Sequence, residues 1–368
     1  MTRGLDDNTY MKCRSFILAF LLGCGAFAHA GERYESYNGV RMLGMGGAGV
    51  AVVNDETALL VNPAGLGKLR DYFITVADPE IDVSSQAEQI AGTKIMNAIK
   101  PQDALDLTNA NVGRHLHTRA QVFPSFVIPN FGFGLFGKYE VNAETVAGSP
   151  NTFKYHYTND WSGVLGANAK LANGIIKVGA NLRATNRAEV RRDDIDVTST
   201  GLSLKSLAAE GIGVSSDVGI LIAAPIRWLP TLGAVYRDVG DTKYDYQKGM
   251  FLDASERPAT VKSTVDVGLA IHPIVGKRVR SSWTIEYQDV LTYGDETNQM
   301  RRLHGGFEFN FADAFFLRGG MNQAYWTAGI ELSMLSYQFQ AASYGEDIGT
   351  PDSPREDRRY VIKFAFRF

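Results

Sequence analysis

The chain has 368 residues, 37 Lys and Arg against 40 Asp and Glu, a formal net charge of −3 and 45% hydrophobic residues. This near-balance of charge excludes the basic surface that nucleic-acid binding requires. Both cysteines, Cys13 and Cys24, precede Gly31, so the remainder of the chain has no disulfide and no thiolate chemistry.

At the N-terminus, Lys12 and Arg14 precede the apolar run 16–22, and Ala28-His29-Ala30 offers a small-residue cleavage site before Gly31. Residues 1–30 therefore read as a secretory signal peptide, with Met11 as an alternative start and lipidation at Cys24 as an alternative processing route. Without Arg3, Lys12, Arg14, Asp6 and Asp7 the formal charge moves from −3 to −4.

Residues 31–69 show no strand alternation. They are rich in Gly and Ala over 41–53 and reach Asn62-Pro63-Ala64. Gly44, Gly46 and Gly49 match the dinucleotide spacing G-x-G-x-x-G, but without the preceding strand and following helix that this fingerprint needs. Close backbone packing is the better account of Gly44, Gly46 and Gly47. A residue before proline is pushed toward extended backbone, so Asn62 is free to bond groups at the turn.

From Asp71 onward, apolar and polar residues alternate with the period of two that places one face of a strand in lipid and the other in a polar interior. Fourteen strands are predicted near 70–82, 118–128, 131–145, 160–171, 175–190, 213–223, 230–239, 261–272, 278–289, 301–311, 314–322, 325–334, 335–345 and 358–368. The links alternate between short turns and longer loops, the asymmetry of periplasmic turns against extracellular loops. Within the first long loop, 83–117, the spacing of Ala87, Ile90, Ala91, Ile95 and Ile99 predicts a helix ending at Pro101. Its apolar residues fit either a groove that captures an amphipathic ligand or, preferably, a helix folded over the barrel mouth. After the signal segment no run of about 18 apolar residues exists, which leaves a closed barrel as the only way to span a membrane.

Pro79 and Pro124 are the prolines that fall within strands, where each removes a ladder donor. Gly132, Gly134 and Gly137 on the next strand permit a kink beside Pro124. Lumen-facing charges (Lys138, Glu140, Lys177, Arg183, Asp266, Arg280, Glu286, Glu308, Arg318, Glu331, Lys363 and Arg367) are mixed in sign, which suits internal pairing better than an ion-selective ring. His115, His117 and His156 are expected on loops, with no third ligand for a metal. No Ser, His and Asp share a catalytic spacing, so neither an enzyme activity nor a cofactor is expected.

The final strand, Tyr360 to Phe368, puts Tyr360, Ile362, Phe364, Phe366 and Phe368 on one face, with Lys363 and Arg367 on the other. It resembles the closing strand of bacterial outer-membrane barrels. Together with the motif-level likeness over 41–66 and 121–137, the topology resembles the FadL family of outer-membrane transporters for long-chain fatty acids and other hydrophobic compounds. The resemblance implies an all-β, fourteen-stranded transmembrane barrel over 70–368, with residues 31–69 as a plug or hatch inside the lumen. It implies passive, plug-gated uptake of a hydrophobic small molecule, and a lateral opening into outer-membrane lipid marked here by Pro124, Gly132, Gly134 and Gly137. It also implies a monomer handled by the barrel-assembly machinery through the C-terminal strand. An alternative class is a non-transporting barrel that acts in protein export or surface assembly through its loops.

Overall fold

A computed structural model describes residues 35–368 apart from 253, 292–297 and 351–352. The signal-peptide expectation lies outside the described residues. Fourteen antiparallel strands close into a barrel. Strand β1 comprises Phe73–Ala77 and Glu80–Ser84, and β2 comprises His115–Val122 and Ser125–Ile128. The others are β3 (Phe131–Val146), β4 (Thr152–Leu171), β5 (Ile176–Asp196), β6 (Ala209–Ala223), β7 (Thr231–Arg237), β8 (Thr264–Ile271), β9 (Val279–Tyr287), β10 (Leu303–Phe311), β11 (Phe315–Asn322), β12 (Tyr325–Ser333), β13 (Tyr337–Asp347) and β14 (Glu356–Arg367). Each strand pairs with its sequence neighbours, and β14 pairs with both halves of β1, so no edge is left open. Two further ladders, Gln247–Lys248 on β6 and Ile274–Gly276 on β9, lie in connections.

The alternation sorts as its chemistry demands. Tyr360, Ile362 and Phe364 are exposed on the outer wall, whereas Val361, Lys363 and Ala365 are buried inside. The same inversion, apolar out and polar in, runs through Trp326 and Ile330 against Thr327 and Glu331. Strands such as β9, β10 and β12 have nine residues each, about what a tilted strand needs to cross a bilayer. Among the described residues no helix is long and apolar enough to cross a membrane. The exposed apolar belt on a closed barrel is what inserts this chain.

The wall has unequal height. β3 to β6 have 16, 20, 21 and 15 residues and rise above the belt at the long-loop end. The sequence expectation of loops at 146–159 and 191–212 gives way to strand over much of both. On this extension Leu116, Val141, Ala143, Tyr155, Tyr157 and Val190 keep the outward face but are buried. Helix α3 (Ala87–Ala91), a 3₁₀ stretch (Gly92–Ile99) and helix α4 (Pro101–Asn109) cover them. Tyr155 donates its hydroxyl to the Ile99 carbonyl at 2.8 Å. Pro101 thus opens a second helix instead of ending the first, since a proline at the first helical position loses no intrahelical bond. The helices lie against the outside of the tall wall, not across the mouth.

Candidate functional site

Residues 35–69 run along the inner wall, and their local structure follows from short-range chemistry. Helix α1 (Val40–Gly44) ends at Gly46 and Gly47, whose φ of 69° and 80° are left-handed and suit glycine. Asp55 accepts from the Thr57 backbone N–H at 3.0 Å, and helix α2 (Ala58–Val61) follows with all four residues buried. Asn62, extended at φ −157° and ψ 106°, caps the 3₁₀ turn Pro63–Lys68 by accepting from the Ala64 N–H at 3.1 Å. Its amide nitrogen donates to the Val50 carbonyl at 3.0 Å, tying the two halves of the segment together.

The wall meets this segment in two ways. Where backbone touches backbone, inward positions are glycine. A Cβ on Gly219 would lie 1.9 Å from Asn62 Oδ1, one on Gly179 2.3 Å from the Pro63 carbonyl carbon, and one on Gly306 2.3 Å from the Met45 oxygen. Elsewhere polar side chains satisfy the segment's backbone. Glu286 accepts from the N–H groups of Gly49 and Val50 at 2.8 Å each. Asn181 donates to the Leu59 carbonyl at 2.7 Å, Arg237 to Leu60 at 3.1 Å, Thr327 to Gly44 at 3.1 Å and Gln121 to Asn38 at 2.7 Å. Arg41 binds Glu308 through two nitrogens at 3.0 Å each and Asp55 at 2.7 Å. Glu308 in turn accepts from Arg318 at 2.7 Å, and Arg318 reaches Glu331. The mixed lumen charges therefore pair with one another and with the segment. Arg280 keeps the inward face of β9 but lies exposed at the short-turn rim, paired with Asp313.

Part of the contact is apolar: Val40 and Leu43 pack with Ala342, Tyr344 and Val361, Met45, Ala51 and Val52 with Ala270, and a third cluster lies by β2 to β4. Phe123 and Val127 of β2, Phe136 of β3 and Val164 of β4 face inward and bury Leu59, Leu60, Val61 and Leu66 of the segment, with Tyr37 stacked edge-on against Phe136. Gly132 and Gly166 make room for Leu59, whose methyls lie 3.3 and 2.6 Å from their built Cβ positions. This seat adjoins an interrupted seam of the barrel. Between the pairs Thr75–Ser125 and Glu80–Gln121, β1 has the residues Val76 to Pro79 and β2 only Val122 to Pro124, so the ladder is interrupted. The β1–β14 register also shifts, between Thr75 and Ala77. Asp78 patches the gap: its carboxylate accepts from the Phe123 N–H and pairs with Lys363 at 2.8 Å. Thr75 Oγ1 and Ser125 Oγ, buried and directly opposed here, have no hydrogen-bond partner.

Of the residues read as a lateral opening, Gly134 lies opposite Ser125, and its Cβ would meet the Phe123 ring at 2.6 Å. Gly132 faces Leu59 and Val127, and Gly137 packs under the Trp161 ring. Pro124 sits in the β2 break, and its carbonyl accepts from the Leu135 N–H at 2.9 Å. The β2–β3 register runs through this point unchanged, so the discontinuity lies on the β1 side of Pro124. His115 and His117, expected on a loop, begin β2 and point inward at Asp357 and Asn142, at 3.1 and 2.7 Å. His156 lies on β4 beside Asp193.

A small polar cavity of about 20 Å³, lined by Tyr37, Arg41, Glu56, Gln340, Lys363 and Arg367 among others, lies between the segment and the β13–β14 wall. Glu56 is 3% exposed and its Oε2 is unpartnered. Burial, then the neighbouring Asp55, raises its pKa above the ordinary carboxylate range. Lys68, donating to the Ala51 carbonyl at 2.7 Å, is pushed down to about 7 by burial, then by Arg41 and Lys177.

No known protein-family pattern and no curated protein sequence matches the chain. Among solved structures, the toluene transporter TodX of Pseudomonas putida aligns with a TM-score of 0.50 at 11% identity, over 92% of this chain and 99% of that one. A TodX deltaS2S3 mutant, described as a monoaromatic hydrocarbon channel, aligns at 0.50 and 12% identity, over 90% and 99%. A FadL homologue from Pseudomonas aeruginosa aligns at 0.47 and 11% identity, over 92% and 98%. The first two likenesses place the chain in one fold with them: a closed, fourteen-stranded transmembrane β-barrel.

Proposed function

We propose that this barrel resides in the outer membrane of a Gram-negative cell, with its long loops outside, and passes hydrophobic small molecules inward. Residues 35–69 act as its plug. The observation that carries this reading is the apolar seat of Phe123, Val127, Phe136 and Val164. These inward side chains form a site of about the polarity a hydrocarbon needs, and the plug's Leu59 and Leu60 occupy it. Withdrawal of helix α2 uncovers that site beside the interrupted β1–β2 seam, where apolar ligand has a short route into lipid. The hydrocarbon and toluene channels that share the fold support the same class of cargo.

The test is uptake of labelled oleate and labelled toluene by a strain stripped of its own channels for both. Expression of this chain is expected to restore saturable uptake of at least one. Replacing Pro124 with Ile, or Gly134 with Val against the Phe123 ring, is expected to cut uptake several-fold with assembly intact. Undiminished uptake removes the lateral route. Absent uptake from a well-assembled barrel favours the protein-export or surface-assembly class.

A further inference from the structure

Three consecutive turns at the short-turn end share an unusual composition. Residues 168–178, 222–232 and 271–281 contain no Asp or Glu, yet carry Lys170, Arg227, Lys277 and Arg278 exposed among them. The backbone joins these turns: the Ala223 N–H donates to the Ile175 carbonyl at 2.9 Å, and the His272 N–H to the Trp228 carbonyl at 2.6 Å. The same turns expose apolar side chains, Ile226 at 66%, Trp228 at 51%, Ile274 at 78% and Val275 at 63%. Surface cations among exposed apolar side chains of this kind mark an interaction site more often than an ordinary surface.

One observation separates Ile274 from a membrane anchor. Ile274 pairs with Arg280, and Arg280 shares the inward face of β9 with Glu286, whose carboxylate binds the plug inside the lumen. Ile274 therefore lies on the aqueous side of the wall, away from lipid. Trp228 and Leu229 also take φ of 68° and 45°. Left-handed backbone is costly for bulky side chains, and a turn could adopt it without penalty through Gly or Asn. Retaining Trp and Leu there holds the indole out at the rim, with the Arg227 guanidinium 5.2 Å from its ring centre.

We propose that the turns joining β4–β5, β6–β7 and β8–β9 form a docking surface for a soluble periplasmic protein that presents acidic side chains around an apolar patch. Trp228 and Ile274 are its apolar anchors, and Lys170, Arg227, Lys277 and Arg278 supply the complementary charge. The surface borders the plug, since Gly67 packs against Asn168 and Lys177 at the end of the β4–β5 hairpin. Docking does not depend on what the barrel carries and is measured without uptake.

The test places the photo-reactive residue benzoylphenylalanine at position 226 in intact cells, with a matching control at lipid-facing Ile330. The expected result is one defined protein adduct from position 226 only, whose contact peptide is acidic by mass spectrometry. The adduct should fall at least tenfold in Arg227→Glu/Lys277→Glu/Arg278→Glu and in Trp228→Gly. Glycine suits the left-handed backbone, so Trp228→Gly should assemble at least as well as the parent. Cross-linking to lipid alone, an adduct unchanged in either variant, absence of any adduct, or failed assembly of Trp228→Gly overturns the proposal.

Discussion

At the scale of single residues, the contact between wall and plug depends on atoms that are absent. Gly219 and Gly179 let Asn62 and Pro63 lie against β5 and β6. Gly219→Ala forces a methyl into Asn62 Oδ1, an overpacking that typically costs about 1 to 3 kcal/mol. Limited proteolysis should find the plug cleaved faster while the barrel keeps its heat-modifiable mobility on gels. Asn62→Ala leaves the Ala64 N–H without its acceptor, at about 1 to 3 kcal/mol, and should give the same phenotype by a different route. Protection equal to the parent in both variants would mean that Asn62 does not hold the plug. Lys68 adds a pH dependence. Its folded pKa, about 7, lies below its unfolded value. The penalty for burying the charged form is therefore full below pH 7 and is relieved as pH rises from 7 toward the ordinary lysine range. Hydrogen exchange in residues 63–68 should slow, relative to intrinsic rates, between pH 7 and 9.5, and Lys68→Met should abolish that trend.

At the scale of elements, β1 is a strand in two pieces, and Asp78 is what joins them. Asp78→Ala leaves the Phe123 N–H and Lys363 without their carboxylate, and breaking a buried pair typically costs about 3 to 5 kcal/mol. Asp78→Asn keeps an acceptor for the amide and should lose less. The melting temperature of the folded band should order parent, Asn, Ala; equal values would show the seam to be held otherwise. This scale is also where sequence and structure part company. Period-two alternation located all fourteen strands, because lipid on one side and water on the other enforce it. It marked Pro79 and Pro124 as breaks for the same reason. It did not extend β4 through Tyr155 and Tyr157 or carry β5 beyond Val190 to Asp196. Above the bilayer the outward face is covered by protein instead of lipid, and polar neighbours such as Lys154 and His156 read as loop. The partners of the charges were not legible either. Arg41 meets Glu308 across 267 positions, and only the closed barrel brings them together. The inward glycines Gly179, Gly219 and Gly306 carried a signal that went unread: each sits on the lumen parity of its strand, where small residues call for a nearby backbone.

At the scale of the whole molecule, residues 35–69 lie inside the barrel against its inner wall. Glycine contacts, carbonyl-directed side chains, the Arg41–Glu308–Arg318–Glu331 chain and three apolar clusters hold residues 35–69 against the wall. On the proposed function, transport therefore requires this segment to move. A disulfide decides the point. Ala51 Cβ lies 3.5 Å from a Cβ built on Gly268, within the span a disulfide accepts, and beyond Cys24 the chain has no cysteine of its own. In Ala51→Cys/Gly268→Cys, uptake of labelled oleate or toluene should be lost under oxidation and return on reduction, with assembly unchanged in both states. Equal uptake with the plug locked and unlocked would contradict a moving gate.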